Sequence, residues 1–217
     1  MDWYGEGRGC GALTGTLTIE DVLYASGSLA SIDMHFTQLC TGAAGALHGT
    51  VHWKAGDPTK IPGPVNPIPS NLWRPTISLP STGNYVYLAS EAGDAVGGGG
   101  TYLYTSANST INVSANGRHV AVVVNSYDWS GDFQGMISLE LLQAGYYANL
   151  ERYPFNNPAR GGLDWNGMGR GCNTLTGWFA VDAVTYTGVT LTSIDLRFEQ
   201  HCDGQTAALH GAIHWRA

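Results

Sequence analysis

Hydrophobic and polar residues alternate along several short segments of the chain, and this period of two predicts β-strands rather than helices. The clearest segment is Ser31 to Cys40, where Ile32, Met34 and Phe36 share one face and polar side chains share the other. Glycine and small polar residues separate such segments and are typical of turns. The pattern therefore predicts an all-β fold, either a β-sandwich or a barrel, built from many short strands.

Predicted strands occur along the whole chain, with turns between them. The strands are expected at Leu17 to Tyr24, Ser31 to Phe36, Leu47 to Trp53, Tyr85 to Ala89, Thr101 to Tyr104, Ile111 to Ser114, His119 to Asn125, Gly145 to Tyr153 and Phe179 to Tyr186. Asn116 and Gly117 form a strong hairpin signal. Tyr127 to Phe133 is predicted to be a turn, and Ser138 to Gln143 a single helical turn. No segment predicts a long helix.

One stretch of about 54 residues occurs twice in the chain. Asp2 to Ala55 (repeat A) and Asp164 to Ala217 (repeat B) align without a gap, and 27 of the 54 aligned residues are identical. Both copies contain Asp-Trp-x-Gly-x-Gly-Arg-Gly-Cys near the start and Ala-Leu-His-Gly-x-x-His-Trp near the end. Such self-similarity predicts one structural unit that is used twice.

The repeat suggests how the chain is organised. Residues 1–55 are predicted to be a partial module, the C-terminal half of one, followed by a Pro-rich linker at 56–71 and a complete β module at 72–217. A fragment of this size buries too little surface to fold alone. We therefore expect repeat A to dock on the complete module or on a second chain, as in a homo-oligomer, and we expect the chain to be a piece of a larger parent protein.

The four cysteines have a regular spacing. Cys10 and Cys40 are separated by 30 residues, and so are Cys172 and Cys202. Four cysteines allow three connectivities, and the repeat favours one disulfide within each copy over buried free thiols. Neither pair has the close spacing of a zinc site, so no metal is expected there. Disulfides predict an extracellular or periplasmic location and hence a secreted protein.

Composition excludes two classes of partner. The formal net charge is −7 with only two lysines, and no basic stripe is present, so nucleic-acid binding is not expected. No apolar run approaches the roughly 20 residues that a membrane helix needs, so membrane insertion is not expected either. No cofactor motif occurs in the chain, and we expect no cofactor.

Repeat B contains Gly-Arg-Gly-Cys-Asn-x-Leu-Thr-Gly at Gly169 to Gly177 and Phe-Glu-Gln-His-Cys at Phe198 to Cys202. With this signature the chain resembles repeated β modules of secreted bacterial proteins. That resemblance implies a secreted, modular protein without enzymatic activity. Repeat A departs from the signature, since it has Gly11, Thr37 and Leu39 where repeat B has asparagine, glutamate and histidine.

Catalytic and metal-binding hypotheses find little support in the sequence. His48 and His52, like their counterparts in repeat B, lie four residues apart on a strand, roughly 13 Å, which is too far to chelate one ion. Glu199 and His201 lie closer, two residues apart, and could form an acid–base pair, but a solvated strand face is the simpler interpretation. We predict no catalytic residue and no metal ligand.

The candidate ligand site is aromatic and acidic. Trp129 lies between Asp128 and Asp132, and a flat ring beside carboxylates suits sugar binding; Tyr146, Tyr147 and Tyr153 extend the candidate surface. In the competing interpretation Trp129 anchors the segment to the core. We predict a secreted, non-catalytic binding module with glycans as its ligands. The alternatives are a structural repeat of a cell-surface or filament protein, and a glycoside hydrolase-like enzyme with a carboxylate pair.

Overall fold

The structure of the protein is a computed structural model that describes residues 1–5, 8–58 and 63–217. Motif positions 6 and 7 of repeat A and residues 59–62 of the predicted linker lie outside the described residues. The chain divides into two compact units, Met1–Ile61 (unit 1) and Pro62–Ala217 (unit 2). Every regular element in the described ranges is a β-strand, so the all-β prediction is confirmed.

Unit 1 is a three-stranded antiparallel sheet. Its strands, in the spatial order β1-β2-β3, are β1 (Leu13–Ala25), β2 (Ser28–Cys40) and β3 (Leu47–Lys54). Ser26 and Gly27, both with positive φ, form the tight turn between β1 and β2. The ring of Phe36 on β2 is buried, because Trp3 stacks on it with ring centroids 4.9 Å apart.

Unit 2 is a single ten-stranded sheet that is nearly closed and barrel-like. Among the strand pairs of the described residues, only the contact between β9 and β10 is parallel. Its spatial order is β5-β4-β13-β12-β11-β9-β10-β8-β7-β6. The strands are β4 (Tyr85–Ser90), β5 (Thr101–Thr105), β6 (Ile111–Asn116), β7 (His119–Val124), β8 (Trp129–Gln134), β9 (Gly145–Arg152), β10 (Gly162–Gly167), β11 (Leu175–Thr187), β12 (Thr190–Cys202) and β13 (Ala208–Arg216).

The core of unit 2 is aromatic. Phe133 on β8 lies at its centre, with its ring 5.6 Å from the rings of both Phe179 and Phe198 and 6.2 Å from that of Trp165. All four side chains are fully buried. Burial of one such side chain stabilises the fold by about 1.5–3 kcal/mol, so this cluster holds β8, β10, β11 and β12 together.

Both predicted disulfides are present. Cys10 is bonded to Cys40, and Cys172 is bonded to Cys202. Each bond ties the chain before one long strand to the end of the next strand in the same unit. Disulfides of this kind persist outside the reducing cytoplasm, and they indicate a non-reducing, extracellular environment.

Strands β1–β3 and β11–β13 have the same pairing register at an offset of 162 residues. Leu13 pairs with Cys40, and Leu175 pairs with Cys202. The bulges also coincide, since one falls after Ile19 and another after Val181. The pairing of β2 with β3 matches that of β12 with β13 in the same way.

A glutamine fork fastens the chain in both units. In unit 2 the side chain of Gln200 accepts a 2.8 Å hydrogen bond from the backbone N–H of Trp165 and donates another of 2.8 Å to its carbonyl. Gln38 makes the same two bonds to the backbone of Trp3, also at 2.8 Å. Each tryptophan is thereby held against a phenylalanine on the same strand as the glutamine, Phe36 on β2 and Phe198 on β12.

Two local predictions are wrong. Tyr127 to Phe133 is not a turn throughout, because Trp129–Gln134 forms β8, in which Trp129, Gly131 and Phe133 alternate toward the core. The predicted helical turn at Ser138 to Gln143 is absent from the described structure; that segment forms turns and bends that bury Leu139 and Leu142. In the first case tertiary burial of alternate side chains overrides the turn composition.

The second half of the predicted linker contacts unit 2. Val65 exchanges two backbone hydrogen bonds with Tyr146, of 2.9 and 3.0 Å, and Asn66 donates a side-chain bond of 3.1 Å to the carbonyl of Ala144. A proline-rich segment can pair with a strand at one residue in this way, because a single bridge needs only one backbone N–H donor from the segment. The chain therefore joins unit 2 several residues before position 72.

Candidate functional site

A shallow cleft of about 360 Å³ lies where β10 leaves the sheet of unit 2. Asp164 and Asn166 of β10 form its floor, Arg152 at the end of β9 forms one wall, and the turn after β10 forms the other. Exposed Tyr127 stands at the rim. Pockets for small ligands begin at about this volume.

Asp164 is the buried polar group of this cleft, with only 7% of its surface exposed. Its Oδ2 accepts a 3.0 Å hydrogen bond from the side chain of Asn166. Its Oδ1 lies 3.9 Å from the Nε of Arg152, which is too long for a hydrogen bond. Asp164 Oδ1 and Arg152 Nε thus face each other; both atoms are buried, and neither has a hydrogen-bond partner within the protein. Buried polar atoms without partners are costly and call for an explanation.

Burial raises the pKa of Asp164, against the lowering effects of the Asn166 hydrogen bond and the nearby Arg152 charge. The carboxylate of Asp132, the residue that pairs with Asp164 across the sheet, raises this pKa further. The charged form of Asp164 is therefore poorly solvated by the protein alone. A ligand group that donates a hydrogen bond to Oδ1 would supply part of the missing solvation.

The backbone around the cleft is held in unusual conformations. Asn125, Ser126 and Tyr127 have φ values of 48°, 56° and 86°, and Met168 on the opposite rim has 52°. Few residues other than glycine adopt positive φ, and such strain collects at functional sites. The backbone N–H of Met168 donates a 2.8 Å bond to the carbonyl of Asp128, which joins the two rims.

A hydroxyl group matches the facing pair of Arg152 and Asp164. A hydroxyl both donates and accepts, so one oxygen can donate to the carboxylate and accept from the guanidinium. The guanidinium is already oriented, because it donates a 3.2 Å bond to the carbonyl of Asn173 and lies over the ring of Phe155. Hydrogen bonds to charged partners are the stronger kind.

Two of the predicted ligand residues do not lie on the surface. Trp129 is fully buried, with its indole N–H donating a 2.8 Å bond to the hydroxyl of Tyr104. Tyr147 is also fully buried, stacks on Phe179 and donates to the carbonyl of Gln143. The prediction of a sugar platform at these two residues is wrong, because inward strand positions place both rings in the core.

The other predicted ligand residues are partly brought together. The side chain of His119 contacts both Asp132, at 2.9 Å, and the ring of Tyr153, with centroids 4.8 Å apart. Asp128 is exposed and lies beside the cleft rim. Tyr146 packs elsewhere, near Trp178. The structure thus groups Asp132 and Tyr153, but not around Trp129.

Sequence reasoning missed Asp164, Arg152 and Asn166. Asp164 is identical to Asp2 at the aligned position of repeat A, and identity between the repeats suggests a structural role rather than a binding one. The useful signal was the difference between the copies, since Asn166 corresponds to Tyr4. Arg152 precedes repeat B altogether, and only the fold brings it to Asp164.

The carboxylate and histidines of β12 and β13 form a separate cluster. Glu199 binds His210 at 2.9 Å and His201 at 3.3 Å. The hydrogen bond from His210 holds the pKa of Glu199 down at about 2. A carboxylic acid with so low a pKa is ionised near neutral pH and is a poor proton donor.

The predicted solvated face at this cluster is present only in part, since the side chains of Glu199 and His201 are each 25% exposed. Arg197 is only 4% exposed, makes a bidentate ion pair with Asp182 and donates a 2.6 Å bond to the carbonyl of Trp73. The Trp73 ring in turn stacks on His210. The segment before β4 therefore covers this side of the sheet, and the polar residues there tie it down.

Two kinds of feature are absent from the described residues. In the described ranges no group of three or more His, Cys, Asp or Glu side chains could hold a metal ion. Over the same residues, no helix is long and apolar enough to span a membrane.

The fold and the cleft define a disulfide-stabilised, all-β protein of a non-reducing, extracellular environment. No family model, no curated protein and no solved structure matches the chain. The site itself must therefore support any functional conclusion, because no relative supplies one.

Proposed function

We propose that the protein is a secreted, non-catalytic module that binds a carbohydrate in the cleft beside Asp164. The observation behind this proposal is the facing pair of buried atoms, Asp164 Oδ1 and Arg152 Nε, at 3.9 Å with no partner of their own. A sugar hydroxyl satisfies both atoms at once. Carbohydrates present such hydroxyls on a rigid ring, which suits a fixed cleft.

Tyr127 supports a sugar rather than another hydroxyl compound. Its side chain is 74% exposed at the rim, where its flat face is available to stack on a sugar ring. Its backbone φ of 86° indicates that the surrounding structure fixes this presentation. An aromatic face beside hydrogen-bonding groups is the arrangement that the sequence suggested for Trp129, now found at a neighbouring residue.

The competing function is glycoside hydrolysis, which one observation favours. Asp132 and Asp164 are directly opposite each other on β8 and β10, and cross-strand neighbours have Cβ atoms only about 4.5–5.5 Å apart. Retaining glycosidases use two carboxyl groups at a comparable spacing. Against this, Asp132 is engaged by His119 and does not line the cleft, so we propose binding without turnover.

A glycan array followed by calorimetry on the full chain tests the proposal. Asp164→Asn and Arg152→Gln should each weaken glycan binding at least about tenfold, because hydrogen bonds to charged groups contribute about 1.5–3 kcal/mol. Asp2→Asn is the matched control: Asp2 is the aligned residue of unit 1 and is exposed, and binding should not change. Absence of glycan binding, or binding unaffected by Asp164→Asn, would contradict the proposal.

The same preparation separates binding from hydrolysis. A bound oligosaccharide should be recovered intact after long incubation with the wild-type protein, and Asp132→Asn should leave its affinity nearly unchanged. Cleavage of the glycan that Asp132→Asn abolishes would replace the binding proposal with the enzymatic one.

We further infer that unit 1 and strands β11–β13 are two copies of one structural unit. Half of the aligned residues are identical, and the strand register, the bulges, the disulfide and the glutamine fork coincide. The alternative function, a structural repeat in a cell-surface protein, draws its support from the same coincidence. That function predicts no signal on the glycan array.

A further inference from the structure

The sheet of unit 1 has an apolar face that its own three strands leave half-exposed. On this face Leu17, Ile19 and Leu47 are 48%, 53% and 47% exposed. Leu17 and Ile19 on β1 and Leu47 on β3 lie on either side of β2, on the same face as Phe36. Contiguous apolar surface of this kind marks interaction sites in soluble proteins.

Unit 2 shows how the corresponding face is covered. At the aligned positions, Phe179, Val181 and Leu209 are completely buried. Tyr147 from β9 stacks on Phe179, and Phe133 from β8 packs against the same ring edge to face. The two strands that supply these rings, β8 and β9, come from residues 63–163, the segment that precedes Asp164.

The two edges of the unit 1 sheet correspond to edges that are paired in unit 2. There β11 pairs with β9, and β13 pairs with β4. Within the described part of unit 1, β1 and β3 each pair only with β2. From Leu13 to Ile19 the β1 edge contains neither a charged residue nor a proline. Natural edge strands that must stay unpaired usually contain one or the other.

We propose that unit 1 is completed by a polypeptide segment of the same kind as residues 63–163, supplied by another module. A β9-like strand would pair with Thr14–Ile19, and a β4-like strand would pair with Leu47–His52, in the registers seen in unit 2. A phenylalanine equivalent to Phe133 would insert among Trp3, Leu17 and Phe36.

A second copy of this chain is a poorer occupant than such a segment. Its own residues 63–163 are already paired with β11 and β13, and Phe133 is already buried against Phe179 and Phe198. Opening those contacts would expose a complete core. A segment not already paired with its own β11–β13 pays no such cost.

The test joins a second copy of residues 63–163 directly to Asp2 of the full chain, which recreates the junction between Leu163 and Asp164. Hydrogen–deuterium exchange of β1 and β3 is compared with that of the unextended protein. We expect exchange in Thr14–Ile19 and Leu47–His52 to slow by at least about tenfold, because strand pairing protects these amides.

The matched control has Phe133→Asp in the added copy alone, and its protection of β1 and β3 should disappear. Unchanged exchange of β1 and β3 in the intact extended protein would overturn the proposal, whether or not the added segment folds. Light scattering on the unextended chain measures whether it forms a dimer, which is a second test of the proposal. A dimer whose β1 and β3 amides are already protected would assign the face to a second copy and would also overturn it.

Discussion

Strands β1–β3 of unit 1 and β11–β13 of unit 2 have the same local structure but very different surroundings. Each set has its disulfide, its glutamine fork and its bulges at aligned positions. Yet Phe179 is fully buried, whereas Leu17 at the aligned position is 48% exposed. The disulfide, the fork and the bulges therefore need only the three strands, whereas burial of the apolar face needs further strands of a module.

Polar partners differ between the two sets in a coordinated way. In unit 2 Arg197 forms an ion pair with Asp182, and in unit 1 the aligned residues are His35 and Glu20, which also contact each other at 3.0 Å. Likewise Glu199 binds His210, while the aligned Thr37 binds His48 at 3.1 Å. The same two positions therefore contact each other in both units, although the residue types that make the contact differ.

The largest contrast is expected for truncation of the aligned core positions. Phe179→Ala should lower the free energy of unfolding of unit 2 by about 3–5 kcal/mol, because it leaves a cavity beside Phe133 and Tyr147. Leu17→Ala should cost unit 1 less than about 1 kcal/mol, since the leucine is half-exposed. Amide exchange resolved by unit measures both. Equal losses would show that the face of unit 1 is covered in solution.

Removal of one disulfide should affect the two units differently. Closing a loop of this length stabilises by about 3–4 kcal/mol in the chain-entropy model. Cys10→Ser with Cys40→Ser should leave β1–β3 exchanging like an unfolded chain, because three strands have little other stabilisation. Cys172→Ser with Cys202→Ser should leave unit 2 folded but less stable. Persistent protection of unit 1 without its disulfide would contradict this.

A smaller effect is expected at Glu199, and it depends on pH. Its folded pKa of about 2 lies below the ordinary value of 4.5, so its contribution is present above pH 4.5 and is lost as pH falls toward 2. Glu199→Gln should cost about 1.5–3 kcal/mol at neutral pH and flatten stability across that window. Urea unfolding at several pH values measures it. The aligned Thr37→Val of unit 1 is the uncharged control and should show no pH dependence.

The smallest effect is expected at Asp164, and its sign is opposite. Burial raises the folded pKa, so the folded state binds the proton more tightly, and stability falls as pH rises from 3.8 through that raised pKa. Asp164→Asn should therefore be at least as stable as the wild type at neutral pH, although it no longer binds the ligand. Urea unfolding measures this difference, which should vanish below pH 3.8. A clear loss of stability at neutral pH would show that the carboxylate is structural.

The sequence predicted what the repeat and the strand period encode. The alternation of Ile32, Met34 and Phe36 predicted one inward face, and the aligned residues of repeat B, Ile194, Leu196 and Phe198, are buried in the core. The cysteine spacing identified both disulfides. It failed at Trp129, because an aromatic flanked by glycine, serine and carboxylates has the composition of a binding loop while its alternation is that of a strand.

The cleft was beyond prediction for a different reason. Arg152 and Asp164 are twelve residues apart on two strands whose ends meet only because β9 and β10 run parallel. Nothing in the local sequence of either strand indicates that contact. The segment that covers Arg197 and His210 through Trp73 is equally nonlocal, since more than a hundred residues separate them.

The glutamine fork has a consequence for how such a module could evolve. Gln200 binds both backbone polar groups of Trp165, so the backbone between Asp164 and Asn166 is anchored by contacts that involve neither of those two side chains. The fork in unit 1 tolerates tyrosine at Tyr4, the position aligned with Asn166. Side chains beside the tryptophan can therefore be exchanged without loss of the fold. A substitution at either position therefore changes which polar groups this edge of the sheet presents while the backbone beside the tryptophan stays anchored.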